Sequence, residues 1–203
     1  MQPNPQNFDY LLNIIPEGDM GVGKTKLTSR FSKNTFTEYS ECTIGMAFIL
    51  HTLTVDENTV KFYIWDANGA ERYTPLRRLC YSKTQGFILA FDITNRQSFV
   101  NLTTWHKETK ENAPEDSVIM IVGTKADLED KRVVTTDEAK DFADKLGYMY
   151  IETSAKTGMN VDNLFLLLAR EIIERINSKE NNSKPIKIEK PTEGPEKKSW
   201  CLG

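Results

Sequence analysis

Gly18-Asp19-Met20-Gly21-Val22-Gly23-Lys24-Thr25 has the spacing G-x-x-x-x-G-K-S/T. Glycines at these places let backbone N–H groups close around phosphates, and a helix starting at the loop's end adds the positive pole of its dipole. The Lys24 ammonium can then reach β- and γ-phosphates, and the Thr25 hydroxyl can ligate magnesium. The chemistry implied is the binding of a nucleotide with a chain of phosphates. A second group, Thr124-Lys125-Ala126-Asp127, offers a carboxylate that can accept from guanine N1–H and its exocyclic amine, a pair adenine lacks. Ser154-Ala155-Lys156 is a third, shorter segment whose weight comes from its order after the other two.

These residues need a scaffold that brings loops together at one edge. The apolar runs Leu11 to Ile15, Gly86 to Ile93 and Val118 to Val122 are short and do not alternate, as strands buried on both faces of a parallel sheet require. Phe48 to Val55 and Val60 to Trp65 flank Asp56-Glu57-Asn58-Thr59 and predict an antiparallel edge hairpin. A helix is expected over Leu27 to Phe31. Further helical stripes are predicted by Phe99, Leu102 and Trp105, by Ala139, Phe142, Ala143 and Leu146, and by Val161, Leu164, Phe165, Leu168, Ile172 and Ile176. Thr135 with Glu138 predicts a capping box, and Gly147 a helix stop. The fold class is α/β: a doubly wound, mostly parallel six-stranded sheet with one antiparallel edge hairpin, the loop Gly18 to Thr25 following its first strand. In such sheets the ligand sits at the carboxyl ends of the strands, where the motifs fall.

Composition narrows the rest. In 203 residues, 26 Lys and Arg stand against 29 Asp and Glu, so the net charge of -3 provides no basic field for nucleic acid. The three cysteines, Cys42, Cys80 and Cys201, are widely separated, which argues against a disulfide framework and a clustered zinc site and for a reducing, cytosolic setting. No apolar run approaches a membrane span and no secretory leader is expected, so the sequons at Asn101 and Asn181 are read as chance. His51 and His106 are isolated and read as structural. From Ser178 the chain is rich in Lys, Glu and Pro. Residues 178–203 are therefore expected to form a flexible tail with a typical span of roughly 25–30 Å.

With these motifs in order, the chain resembles a small Ras-like GTPase, and most closely the Rab family. The resemblance covers Phe8 to Asn177, read as a P-loop G domain after a short extension over residues 1–7. It is carried by Thr43-Ile44-Gly45-Met46-Ala47-Phe48, Lys61-Phe62-Tyr63-Ile64-Trp65, Arg72-Tyr73 and Phe91-Asp92-Ile93-Thr94-Asn95-Arg96-Gln97-Ser98-Phe99. The resemblance implies GTP or GDP with Mg2+ as ligands and a switch whose two loops are ordered by the γ-phosphate and released on hydrolysis. It further implies that Phe36 stacks on guanine, Thr43 ligates magnesium beside Thr25, Asp66 holds the ion through water, and Gly69 binds the γ-phosphate. Lys125 would pack over the base and Ser154-Ala155-Lys156 contact the guanine oxygen. Partners implied are effectors, an exchange factor and an activating protein at the switches around Thr43 to Phe48 and Trp65 to Tyr73, with the chain a monomer in vesicle traffic.

Departures from the pattern carry expectations of their own. Switch II reads Asp66-Ala67-Asn68-Gly69-Ala70-Glu71, so Ala70 replaces the glutamine that orients the attacking water and no catalytic residue is assigned. Met20 stands where the loop normally carries a small residue near the γ-phosphate. Slow hydrolysis is the expectation; the alternative is a binding module held with GTP, or a scaffold without nucleotide. Thr124 replaces the usual asparagine but keeps a hydroxyl for bracing the loops. Pro16-Glu17 ends the expected central strand with a missing donor and a charge, so either the strand ends early or stability suffers. Cys201 is third from the end and not fourth, which leaves a lipidated tail on the cytosolic face of endomembranes and an unmodified cytoplasmic tail both open.

Overall fold

The computed structural model describes residues 8–38, 46–67 and 74–183. Along the chain run β1 (Tyr10–Glu17), α1 (Lys24–Lys33), β2 (Met46–Val55), β3 (Asn58–Ala67), α2 (Thr74–Tyr81), β4 (Gly86–Asp92), α3 (Arg96–Val100), α4 (Leu102–Asn112), β5 (Val118–Thr124), α5 (Thr136–Leu146), β6 (Met149–Glu152) and α6 (Val161–Ser183). The sheet order is β2-β3-β1-β4-β5-β6. Among the described residues only β2 and β3 are antiparallel, joined at Asp56-Glu57 with Val55 opposite Asn58. Chain order reverses at β1, which lies between β3 and β4, and the loop after β1 opens at this switch point.

The non-alternating runs explain themselves once helices cover both faces. Every residue of β4 and β5 is buried. One face packs Leu12, Ile14, Phe62, Ile64 and Ile88 against α1 and α6. Phe31 of α1 stacks on Phe165 of α6 at 3.8 Å, and His51 meets the same ring edge-on at 4.5 Å, which accounts for that histidine in packing terms. The opposite face packs Ile15, Phe87, Phe91, Ile119 and Ile121 against α2 to α5. His106 shares a 3.1 Å hydrogen bond with the Tyr148 hydroxyl.

Several boundaries differ from expectation for local reasons. The Phe99, Leu102, Trp105 stripe is divided between two helices, α3 and α4, which meet at Asn101, although all three side chains enter the same core. Thr135 caps α5 by accepting from Glu138 N at 3.2 Å, but the Glu138 carboxylate pairs with Arg96. Gly147 ends α5 at φ 72°, as expected. The last helix runs to Ser183, so the segment read as tail begins helical; Lys179 is tied to Asp116 at 2.5 Å and Arg175 donates to the Asp116 and Ser117 carbonyls.

The strand β1 does not end early. It continues through Pro16 and Glu17, which lie opposite Ile88 and Leu89 of β4, while pairing with β3 ends at Ile14 opposite Ile64. Proline therefore falls where the strand's described pairing has become one-sided, which is where a missing donor is tolerated. Glu17 is fully buried, with the Tyr81 hydroxyl donating to Oε1 at 2.6 Å and Arg77 Nε lying 3.3 Å from Oε2.

Candidate functional site

Three loops leave the carboxyl ends of β1, β5 and β6, and the predicted segments 18–25, 124–127 and 154–156 lie on or beside them, while Asp66 lies in β3 and Phe36 follows α1. In the loop after β1, Gly18, Gly21 and Gly23 have φ of 140°, 84° and 102°. At Gly18 a Cβ would also stand 2.2 Å from the Ala90 carbonyl oxygen, so glycine is required both by backbone conformation and by the passage of β4. Gly23 is the N-cap of α1 in a left-handed conformation; no side chain caps the helix and its first turn holds no acid. A helix start of this kind favours an anion.

Lys24 lies across the loop and is buried, its Nζ donating to Gly18 O at 2.7 Å and Asp19 O at 2.9 Å. Burial lowers its pKa to about 8, with Glu17 and Asp66 opposing the fall. Thr25 Oγ1 donates to Asp66 Oδ1 at 3.1 Å, which sets a hydroxyl and a carboxylate side by side as oxygen donors that suit magnesium. Burial raises the pKa of Asp66. Among the described residues there is no cluster of three or more His, Cys, Asp or Glu side chains able to hold a metal. The donor set fits magnesium on a nucleotide.

Thr124 joins the two sides of the site. Its hydroxyl lies 2.6 Å from Val22 O in the phosphate loop and 2.8 Å from Phe91 O in β4, the bracing expected of the residue that replaces asparagine. Asp127 accepts from Ser154 Oγ at 2.5 Å, and Ser154 Oγ accepts in turn from Thr157 N at 3.1 Å. Arg30 of α1 donates to Ala155 O at 2.6 Å and Lys156 O at 2.9 Å, fixing that loop against the helix. Lys125 adopts φ 60° and pairs with Asp92 at 2.6 Å. Phe36 is half-buried beneath Lys26, whose Nζ is 5.6 Å from the ring centroid. Met20 is 63% exposed. Thr43, Gly69, Ala70 and Cys201 lie outside the described residues.

Some residues of the site escape a reading by motif. Asp19 accepts from Asn101 Nδ2 and Trp105 Nε1, both at 2.8 Å, so the α3–α4 junction and α4 together hold the second residue of the phosphate loop. Trp105 reads in the sequence as one member of an apolar stripe, and its ring nitrogen is the only hint of a polar task. Arg77 and Glu17 sit behind the same loop, and only the oddity of a charge at the end of a central strand points to them.

A glycine loop of G-x-x-x-x-G-K-S/T spacing at the switch point of an open sheet, opening the helix α1, defines a P-loop domain. The Ras family pattern matches residues 13–174 of the chain. The chain is 38% identical to Ras-related protein Rab11D of Nicotiana tabacum, over 97% of its own length and 95% of that relative. It is also 38% identical to Ras-related protein Rab11C of the same plant, over 90% of its length and 86% of the relative. The chain belongs to the Ras family of small GTPases, in its Rab branch.

Proposed function

We propose that the chain binds GTP and GDP with magnesium and works as a Rab-type switch in membrane traffic, with slow intrinsic hydrolysis. The observation that carries the reading is the Thr124 hydroxyl on Val22 O, which locks the base-side loop bearing Asp127 to the phosphate loop bearing Lys24. In this reading Asp127, positioned by Ser154, accepts from the guanine edge. Lys24 exchanges its contacts with the Gly18 and Asp19 carbonyls for phosphate oxygens, and the start of α1 at Gly23 would add the positive pole of its dipole to the same anion. Thr25 and Asp66, with Thr43, would hold the magnesium. When bound, the ion offsets charge on the β- and γ-phosphate oxygens. Ala70 offers the attacking water neither donor nor acceptor, and this is the ground for slow turnover.

Effectors would meet β2 and β3. Phe48 is 57% exposed, stacks on Tyr63 at 5.3 Å and adjoins Trp65 at 6.2 Å, an apolar surface between the two switch segments. Among the described residues no helix is long and apolar enough to cross a membrane, so membrane residence would come through the tail and Cys201.

A second reading, a binding module held with GTP or lacking nucleotide, is favoured by Met20 and Ala70 together. Chromatography of the nucleotide released on denaturing freshly purified protein separates the two. GDP is expected for a working, slow GTPase. Bound GTP alone supports a switch held on, and empty protein overturns the nucleotide reading.

A further inference from the structure

Arg77 is 1% exposed and carries a charge that proteins do not remove, yet it lies on α2 and not in the phosphate loop. We propose that Arg77 is a positioning residue for the phosphate loop, holding it through Glu17, which precedes Gly18, and through Trp105, which holds Asp19. The proposal deepens the reading of residues 18–25 as the nucleotide site and rests on it.

The first arm is an ion pair. Arg77 Nε stands 3.3 Å from Glu17 Oε2, off the hydrogen-bonding direction, while Tyr81 from the next turn of α2 donates to Glu17 Oε1 at 2.6 Å. Two side chains of one helix thus grip the last residue of β1. The second arm passes through an aromatic ring. The guanidinium carbon is 4.9 Å from the Trp105 centroid, a cation–π distance, and Trp105 Nε1 donates to Asp19 Oδ1 at 2.8 Å. Glu108, on the same helix as Trp105, lies 3.8 Å from the far end of the guanidinium and also 3.4 Å from Arg78.

What the arms hold is the backbone on either side of Gly18. The Gly18 and Asp19 carbonyls receive the Lys24 ammonium, so movement of Glu17 or Asp19 shifts the acceptors that aim Lys24. Gly18 transmits such movement with little slack, because it passes the Ala90 carbonyl too closely for a Cβ. A buried ion pair is a weak source of stability, since apolar residues of similar volume often replace one at no loss. Its use here is geometric: α2 follows residues 68–73, which the family resemblance assigns to switch II, and Arg77 links that helix to the loop. By reciprocity, a ligand that repositions α2 alters the loop, and one that orders the loop alters α2.

The test uses the full chain at pH 8. Glu17→Leu with Arg77→Met removes both charges while keeping side-chain volume, and Trp105→Phe keeps a ring under Arg77 but removes the bond to Asp19. Amide hydrogen exchange is followed without added nucleotide, and release of a fluorescent GDP analogue is followed separately. Exchange at residues 18–23 is expected to quicken about tenfold in both variants, with β5 amides unchanged and the analogue released about tenfold faster. Loop exchange equal to that of the parent chain, or a uniform rise that includes β5, overturns the proposal. If the parent chain takes up no analogue the nucleotide reading fails, and the exchange comparison still decides the role of Arg77.

Discussion

Asp127 and Ala70 make opposite demands on the residue scale, one by what it offers and the other by what it lacks. If Asp127 reads guanine through two hydrogen bonds, inosine diphosphate, which lacks the exocyclic amine, should bind the parent chain more weakly than GDP. Hydrogen bonds to a charged group contribute about 1.5–3 kcal/mol, so the gap should be about tenfold to a hundredfold and should close in Asp127→Ala, as read by competition against a fluorescent GDP analogue. An unchanged ratio in the variant would remove Asp127 from base recognition. At Ala70 the expectation concerns rate. Ala70→Gln restores an amide that can orient water and should raise single-turnover hydrolysis by about tenfold or more, each tenfold being about 1.4 kcal/mol of barrier. A rate equal to that of the parent chain would mean another group already supplies that function.

Between elements, the union of β1 with α2 gives stability an unusual pH dependence. Burial raises the Glu17 pKa from 4.5 to about 7, outweighing Arg77, the Tyr81 hydrogen bond and Lys24, with Glu108 adding to the rise. A carboxyl whose folded pKa exceeds its unfolded one binds a proton more tightly in the native state. Its contribution to stability is therefore complete below about 4.5 and is lost as pH rises through about 7. Glu152 acts in the opposite sense, since its pKa is lowered with Arg132, Tyr150 and Thr136 bonded to it, and its contribution is lost on acidification. In denaturant titrations from pH 5 to pH 8 the parent chain should lose stability through Glu17, and Glu17→Gln should lack that fall; parallel curves would show that Glu17 titrates normally. The same union marks the limit of what the sequence discloses. The strands, the hairpin and the glycine loop are legible because period and turn chemistry are local. Glu17 in a central strand looks like a fault until Arg77, distant in the chain, is placed beside it. The break at Asn101 is hidden for a related reason: all three apolar residues of the stripe face one core, so the spacing fits one helix or two. Thr124 shows the converse, a substitution whose bracing role follows from its hydroxyl alone and which stands within reach of Val22.

Over the whole molecule the candidate site acts as a clasp, since it joins the ends of β1, β5 and β6 to α1 through Thr124, Ser154 and Arg30. All three are hydrogen bonds, and of the loops they join, Val22 enters one core and Ala126 packs against the other. A ligand bridging Lys24 and Asp127 would then bind the folded state alone, because the unfolded chain cannot bring these residues together. At a thousandfold excess over its dissociation constant, such a ligand adds about 4 kcal/mol to stability. For a chain of this size each kcal/mol shifts the melting midpoint by about 2–4 °C, so saturating GDP with magnesium should raise it by about 8–16 °C over nucleotide-stripped protein. Chelating the magnesium should return part of that rise, because Thr25 and Asp66 would lose the ion that ties them to the phosphates. ADP at the same concentration should shift the midpoint far less, since Asp127 finds no matching pair of donors on adenine. Equal shifts with GDP and ADP would assign the binding to the phosphate loop alone, and no shift with either would leave the clasp closed by its own hydrogen bonds, as a nucleotide-free scaffold requires.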